Sequence, residues 1–157
     1  MSESDRFFVD TNVLLYSLDT SAPKKREAAL LWLDALWANR AGVLSWQVLH
    51  EFYTNAVRKL RVPAKSARQL VEEFTRWQPV DMTLGQIRRG WRWTDRAKLS
   101  YWDGLIVAAA ERTECMWLLS EDFQAGRRFG TVTIVNPFLA KPVDFGLASD
   151  GRRKTKH

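Results

Sequence analysis

The chain has 157 residues, of which 46% are hydrophobic and 27% are charged, and this composition predicts one globular domain with a core of its own. A single cysteine, Cys115, excludes an internal disulfide. No apolar run approaches the roughly 20 residues of a membrane span, so we expect a cytoplasmic protein without a signal peptide or membrane segment. The net charge of +6 favours a polyanionic partner, although half of it lies in the poorly hydrophobic segment 141–157.

Short apolar segments predict the strands of a central sheet. The chain offers five of them, at 6–9, 42–44, 79–82, 116–119 and 131–135. They are rich in Val, Ile, Leu or Phe, and several are apolar on consecutive residues, which is typical of parallel strands buried on both faces.

Helical patterns separate these strands. They cover 24–39, 45–60, 63–77 and 83–98, and a further helix begins at Ser100 and continues through LIVAAAER. Ser45, Thr83 and Ser100 are suitable N-caps, and Pro63 suits the start of a helix. The alternation predicts an α/β domain with a mainly parallel sheet, in which ligands bind beyond the carboxyl ends of the strands.

The first strand runs directly into a polar turn, Asp10-Thr11-Asn12. We expect Thr11 and Asn12 to cap a short helix that begins near Val13, which leaves Asp10 at the edge of the sheet. The alternative is that Asp10 itself begins this helix.

Four acidic residues follow strands or begin helices. Asp10 ends the first strand, Glu51 lies in the second turn of the helix 45–60, Asp103 lies in the first turn after Ser100, and Asp122 follows the fourth strand. Taken singly, each has an ordinary explanation as a cap, a loop residue or a solvated side chain. Together they occupy the end of the sheet where sites form, and carboxylates that converge there need a counter-charge, which magnesium or manganese would supply.

Other catalytic chemistries lack their residues in this sequence. The chain contains only two histidines, His50 and His157, beside Cys115, which disfavours a zinc site, catalysis by paired histidines and a serine nucleophile with a histidine base. Metal-assisted hydrolysis remains, in which the ion lowers the pKa of its bound water and neutralises charge on a phosphoryl group.

Five sequence segments carry a resemblance to a known family. In chain order they are FVDTNVLLY, SWQVLHEFY, YWDGLIVAAA, LLSEDF and IVNPF, and they extend over residues 6–138. Together they resemble the PIN-domain nucleases, in particular the VapC-type toxins of bacterial toxin–antitoxin pairs. The resemblance implies a flavodoxin-like three-layer α/β/α sandwich with a central, mainly parallel five-stranded sheet. It places the nuclease domain at 1–140 and leaves 141–157 as a basic tail, which we expect to be flexible.

The resemblance also implies an activity, that of a metal-dependent endoribonuclease acting as the toxin of a type II pair. Its acidic cluster corresponds to Asp10, Glu51, Asp103 and Asp122. The expected ligands of Mg²⁺, or of Mn²⁺, are Asp10, Asp103 and Asp122, with Asn12 and Ser120 in supporting positions. Glu121 adjoins Asp122, and the family pattern favours Asp122 of the two. The implied partners are RNA, a neutralising antitoxin and a second copy of the chain.

The segment IRRGWRWTDRAK combines arginines with tryptophans. Arg88, Arg89 and Arg92, with Trp102 beside Asp103, are candidate RNA contacts, because arginine binds phosphates and indole stacks on bases. The alternative is a helix with a solvated basic face and core tryptophans. Gly90 in its interior suggests a kink or a close approach.

Three other functions remain to be weighed. A phosphoacceptor receiver domain could use Asp10 and Asp81 as strand-end acids, but it needs a lysine where Asn136 stands, and it leaves Asp103 unexplained. A haloacid-dehalogenase-type phosphatase would need an aspartate in place of Asn12. A PIN domain that binds RNA without cutting it is disfavoured by the complete set of four acids. The RNA target stays open.

Overall fold

The computed structural model describes residues 5–148 of the chain. A five-stranded sheet has the order β2-β1-β3-β5-β4, and its neighbours are parallel except for the antiparallel edge pair β4–β5. The strands are β1 (Phe7–Val9), β2 (Gly42–Val43), β3 (Trp117–Leu119), β4 (Arg128–Phe129) and β5 (Val132–Val135). All three residues of β1 are fully buried, as expected of an interior parallel strand.

Six α-helices within residues 5–148 pack around the sheet. They are α1 (Thr11–Tyr16), α2 (Pro23–Ala38), α3 (Trp46–Arg58), α4 (Ala64–Phe74), α5 (Leu84–Ala97) and α6 (Tyr101–Arg112). The side chains of Ser45, Thr83 and Ser100 accept hydrogen bonds from backbone N–H groups in the first turns of α3, α5 and α6, so the predicted N-caps are confirmed. The predicted fold class, a flavodoxin-like sandwich around a mainly parallel sheet, is likewise confirmed. None of the helices within 5–148 is both long and apolar enough to cross a membrane.

One predicted strand is wrong and another was missed. In the segment 79–82 only Val80 pairs, through an isolated bridge to Ser45. The chain reaches this point from Gln78, whose φ is +54°, and Thr83 already caps α5, so too few extended residues remain for a strand. The fifth strand is instead β4, which is only two residues long and therefore has no periodicity to recognise.

The predicted start of the tail at residue 141 is too early. Pro142–Phe145 form a turn of 3₁₀ helix, and the Phe145 ring packs edge-on against Phe7, with a centroid distance of 5.4 Å. Leu147 is also buried in the core. Phe145 and Leu147 therefore pack as part of the domain, whereas Val143 between them is exposed. The remainder of the predicted tail, 149–157, lies outside the described residues.

Helices α5 and α6 contact each other through two glycines. A Cβ added to Gly104 would lie 2.7 Å from the Gly90 carbonyl oxygen, and one added to Gly90 would lie 2.9 Å from Leu105 Cδ2. A side chain at Gly104 would collide with the backbone of α5 and force the helices apart, whereas one at Gly90 would require the Leu105 side chain to move. The close approach expected at Gly90 is thus confirmed, and it fixes the first turn of α6, where Asp103 lies.

Candidate active site

The candidate site begins at the ends of two adjacent strands. Asp10 follows β1 and Ser120 follows β3, and the Ser120 hydroxyl donates a hydrogen bond of 2.7 Å to Asp10 Oδ2. Asp10 is also the N-cap of α1, because its Oδ1 accepts from the backbone N–H of Thr11 at 2.8 Å. The expectation that Thr11 and Asn12 form this cap is therefore wrong. The structure shows the alternative, in which Asp10 itself begins the helix. The Oδ2 atom of Asp10 still lies at the edge of the sheet.

Asn12 connects this edge to Asp122. Its Nδ2 lies 3.1 Å from Asp122 Oδ2, 3.1 Å from Ser120 Oγ and 3.3 Å from Asp10 Oδ2. Its Oδ1 accepts from the backbone N–H of Glu121 at 3.2 Å, and the backbone N–H of Asp122 donates to Ser120 Oγ at 3.1 Å. Asn12 and Ser120 thus hold two aspartates that are 112 positions apart in the sequence near one another.

Glu51 and Asp103 complete the group. Glu51 accepts hydrogen bonds from Thr11 Oγ1 at 2.8 Å and from Gln47 Nε2 at 3.1 Å. Asp103 lies in the first turn of α6 and lines the same cavity, of about 380 Å³, as Asp10, Glu51 and Asp122. We call this space the acidic cavity. The structure therefore brings together the four carboxylates that the sequence singled out.

Two members of the site were not anticipated from the sequence. Gln47 lies four residues before Glu51, a spacing that places both on one side of α3 and could have indicated the contact. Thr11 gave no such signal, because its partner Glu51 is 40 residues away. Both residues fix the orientation of the Glu51 carboxylate.

Burial dominates the electrostatics of the site. Asp10 is 5% exposed, and burial raises its pKa from 3.8 to about 7, with a further increase from the nearby charges of Asp122 and Glu51. The hydrogen bonds from Ser120 and from the backbone N–H of Thr11 oppose this increase. Burial also raises the pKa of Asp103, and again Asp122 and Glu51 add to it. In the absence of a cation, the four acids therefore repel one another.

No ion pair within residues 5–148 relieves this repulsion. The two that are present join Lys25 to Glu121 and Arg89 to Glu111, and neither includes one of the four acids. Glu121 lines the acidic cavity, but its carboxylate forms an ion pair with Lys25. Asp122 instead accepts a hydrogen bond from the side-chain amide of Asn12.

The carboxylate oxygens of the cavity suit a hard divalent ion, because none of the four acids forms an ion pair within residues 5–148, although Lys59 also lines the cavity. In the part of the chain that is described, no three Asp, Glu, His or Cys side chains form a closed metal-binding group. Magnesium does not require one, since it usually keeps several waters and is bound through one or two carboxylates together with substrate phosphates. The residues therefore fit Mg²⁺ or Mn²⁺.

The candidate RNA contacts separate into two groups. Arg88, Arg89 and Arg92 lie on α5 and do not line the acidic cavity. Arg89 is held by a bidentate pair with Glu111, at 2.9 and 3.1 Å, and is not free to bind a phosphate. Trp102 is 61% exposed and lines the cavity beside Asp103.

Solved structures of other proteins share this fold. The chain is similar to a toxin–antitoxin complex from Klebsiella pneumoniae, with 18% identity and a TM-score of 0.55, covering 85% of this chain and 98% of that one. It is also similar to VapC20 of Mycobacterium tuberculosis, a sarcin–ricin loop cleaving toxin, with 17% identity and a TM-score of 0.52, covering 71% of this chain and 86% of that one. At these identities the likeness shows the fold.

Sequence comparison identifies the family. No curated protein matches the chain in sequence. Residues 7–128, however, match the family described as the PIN domain, and this segment contains β1, the acidic cavity and all four carboxylates. The resemblance noted in the sequence is thereby confirmed, and the chain belongs to the PIN-domain family.

Proposed function

We propose that the protein is a metal-dependent endoribonuclease and the toxin of a type II toxin–antitoxin pair. The observation that carries this proposal is the convergence of Asp10, Glu51, Asp103 and Asp122 in one cavity, with none of the four in an ion pair within residues 5–148. Membership of the PIN-domain family supports it, as do the two similar structures, which are a toxin–antitoxin complex and a toxin that cleaves the sarcin–ricin loop.

Asp10, Asp103 and Asp122, assisted by Glu51, would hold the Mg²⁺ or Mn²⁺. When bound, such an ion neutralises charge on the phosphodiester and makes water a stronger nucleophile at neutral pH. Ser120 and Asn12 position the Oδ2 side of Asp10, and Thr11 and Gln47 position Glu51. The chain's own residues thus keep the carboxylates in place before RNA arrives.

The alternative functions find less support. A receiver domain would pair Asp10 with Asp81, but Asp81 does not line the acidic cavity, and β5 is followed by Asn136 in place of a lysine. An RNA-binding domain without activity would not need the closely placed acids, which repel both one another and the RNA backbone.

The chemical ends of the products test the proposed reaction. Because the proposed nucleophile is water and no histidine of residues 5–148 lines the acidic cavity, we expect each cut to leave a 5′-phosphate and a 3′-hydroxyl. A single 2′-deoxy substitution at the cut site should still allow cleavage. End-group analysis of a defined RNA after incubation with the purified protein and Mg²⁺ measures this. A 2′,3′-cyclic phosphate would mean that the 2′-hydroxyl is the nucleophile and that the proposed mechanism is wrong.

The toxin role implies a cytoplasmic protein, a homodimer and an antitoxin that supplies the missing positive charge. We expect an arginine of this partner to pair with the carboxylates of the acidic cavity. Expressing the chain alone should arrest growth, and co-expressing the protein encoded beside it should restore growth. A neighbour that neither binds the chain nor restores growth would favour a housekeeping nuclease, whereas the cleavage assay would be unaffected.

A further inference from the structure

A second cavity borders the acidic one. It has a volume of about 650 Å³, and it shares Glu51, Asn55 and Trp102 with the acidic cavity. We call it the side cleft and define it by Trp46, Gln47, His50, Asp81, Met82 and Trp102. Because the two cavities share a wall, the side cleft lies directly beside the carboxylates that would bind the cut phosphate.

Most of the exposed surface of the side cleft is apolar. Trp102 is 61% exposed and Met82 is 40% exposed. The ring centroids of Trp46 and His50 are 6.2 Å apart. Exposed indoles at a nucleic-acid site offer surfaces on which bases stack. A volume of this size is also typical of sites for small planar ligands.

The charges in the side cleft disfavour a phosphate. Among the described residues that line it there are two acids, Glu51 and Asp81, and no lysine or arginine. A phosphate would be repelled there, whereas an uncharged base would not. The cleft therefore suits the base of a nucleotide rather than its backbone.

The Gln47 side chain is held in the wall of the side cleft by two hydrogen bonds. Its Nε2 donates to Glu51 Oε1 at 3.1 Å and to the Trp102 carbonyl at 3.4 Å, while its Oε1 is buried and receives no hydrogen bond. Rotating the amide would set its oxygen against two acceptors, so the orientation is fixed. The nearby amide of Gln86, by contrast, is satisfied by Leu105 and Arg112. Gln47 Oε1 is closed to solvent and cannot accept from a ligand in this arrangement, so the exposed Asp81 carboxylate is the acceptor that the cleft offers to a base.

We propose that the side cleft is a subsite for one RNA base adjoining the cut phosphate, and that it prefers a base with an exocyclic amino group to uracil. This inference rests on the proposed function. Trp102 stacks on the base, and the amino group donates to the Asp81 carboxylate, an exposed acceptor of the cleft. Adenine, cytosine and guanine carry such a group, whereas uracil presents two carbonyls on either side of its one N–H.

Binding of an RNA that the wild-type protein cuts tests the subsite. We would use the Asp10→Asn protein in the presence of Mg²⁺, so that the RNA stays intact, and measure fluorescence anisotropy. Adding Trp102→Ala should weaken binding on the order of 10-fold, and adding Trp102→Phe should restore most of it. The matched control is Trp91→Ala, because Trp91 is 52% exposed on α5 and lines neither cavity.

A second set of RNAs separates base contacts from other effects. Removing one base beside the cut site should weaken binding by the same factor as Trp102→Ala, and the two changes together should cost no more than either alone. Uracil at that position should bind more weakly than adenine, cytosine or guanine.

Equal losses from Trp102→Ala on intact and abasic RNA would overturn the inference. So would a loss confined to binding of the neighbouring protein, which would make the cleft a protein-docking surface. If the wild-type protein cuts no RNA and the Asp10→Asn protein binds none, the proposed function fails and the subsite fails with it.

Discussion

Replacing Asp10 with asparagine is expected to reduce RNA cleavage by more than about 100-fold while leaving the fold intact. Residues that only orient a metal ligand typically contribute 10- to 100-fold, and Asp10 is proposed as a ligand itself. The amide keeps the shape of the side chain, and its oxygen can still accept from the backbone N–H of Thr11. Cleavage of a defined RNA, followed over time with Mg²⁺ and with excess chelator, measures the effect.

The matched control for this variant is Asp95→Asn. It makes the same chemical change on the exposed side of α5, outside the acidic cavity, and should cut RNA at the wild-type rate. Wild-type activity should disappear in chelator. If the Asp10→Asn protein cuts as fast as its control, Asp10 has no part in catalysis and the acidic cavity is not the active site.

The same substitution is expected to remove a pH dependence from the stability of the metal-free protein. Folding raises the pKa of Asp10 from 3.8 to about 7, so the native state binds this proton more tightly than the unfolded chain does. The contribution of Asp10 is therefore fully present below pH 4 and is lost as the pH rises to about 7. The loss is on the order of 4 kcal/mol, since each pKa unit corresponds to about 1.4 kcal/mol.

Urea unfolding of both proteins in chelator, at about pH 4 and about pH 8, measures this difference. We expect similar free energies of unfolding at the lower pH and a more stable Asp10→Asn protein at the higher one. Asp103 is present in both proteins, so its own raised pKa cancels from the comparison. A difference that is the same at both pH values would show that Asp10 is not held in an environment that favours its protonated form.

Local sequence determined the parts of this fold that could be predicted. The caps at Ser45, Thr83 and Ser100 are bonds to residues three positions away, and the position of Asp10 follows from the end of a buried strand. The four acids could be grouped because parallel strands direct their carboxyl ends to one edge.

The features that sequence alone did not reveal depend on contacts between distant residues. Arg89 is a residue type that binds RNA phosphates, but its guanidinium is paired with the carboxylate of Glu111, 22 residues later. The segment 79–82 has the residues of a strand, yet the turn at Gln78 and the cap at Thr83 leave only Val80 paired. Phe145 lies in the segment predicted to be a basic tail, yet its ring packs against Phe7, which is 138 positions earlier in the chain.

The order of the sheet has a consequence for the timing of synthesis. β3 lies between β1 and β5, and it brings Ser120 and Asp122 to Asp10 across 110 and 112 positions of the chain. A ribosome that has made only the first hundred or so residues has therefore produced neither β3 nor the acids at Asp103 and Asp122. Because the group is complete only after these segments emerge and pair, a nascent chain that ends before them lacks the assembled set of four carboxylates.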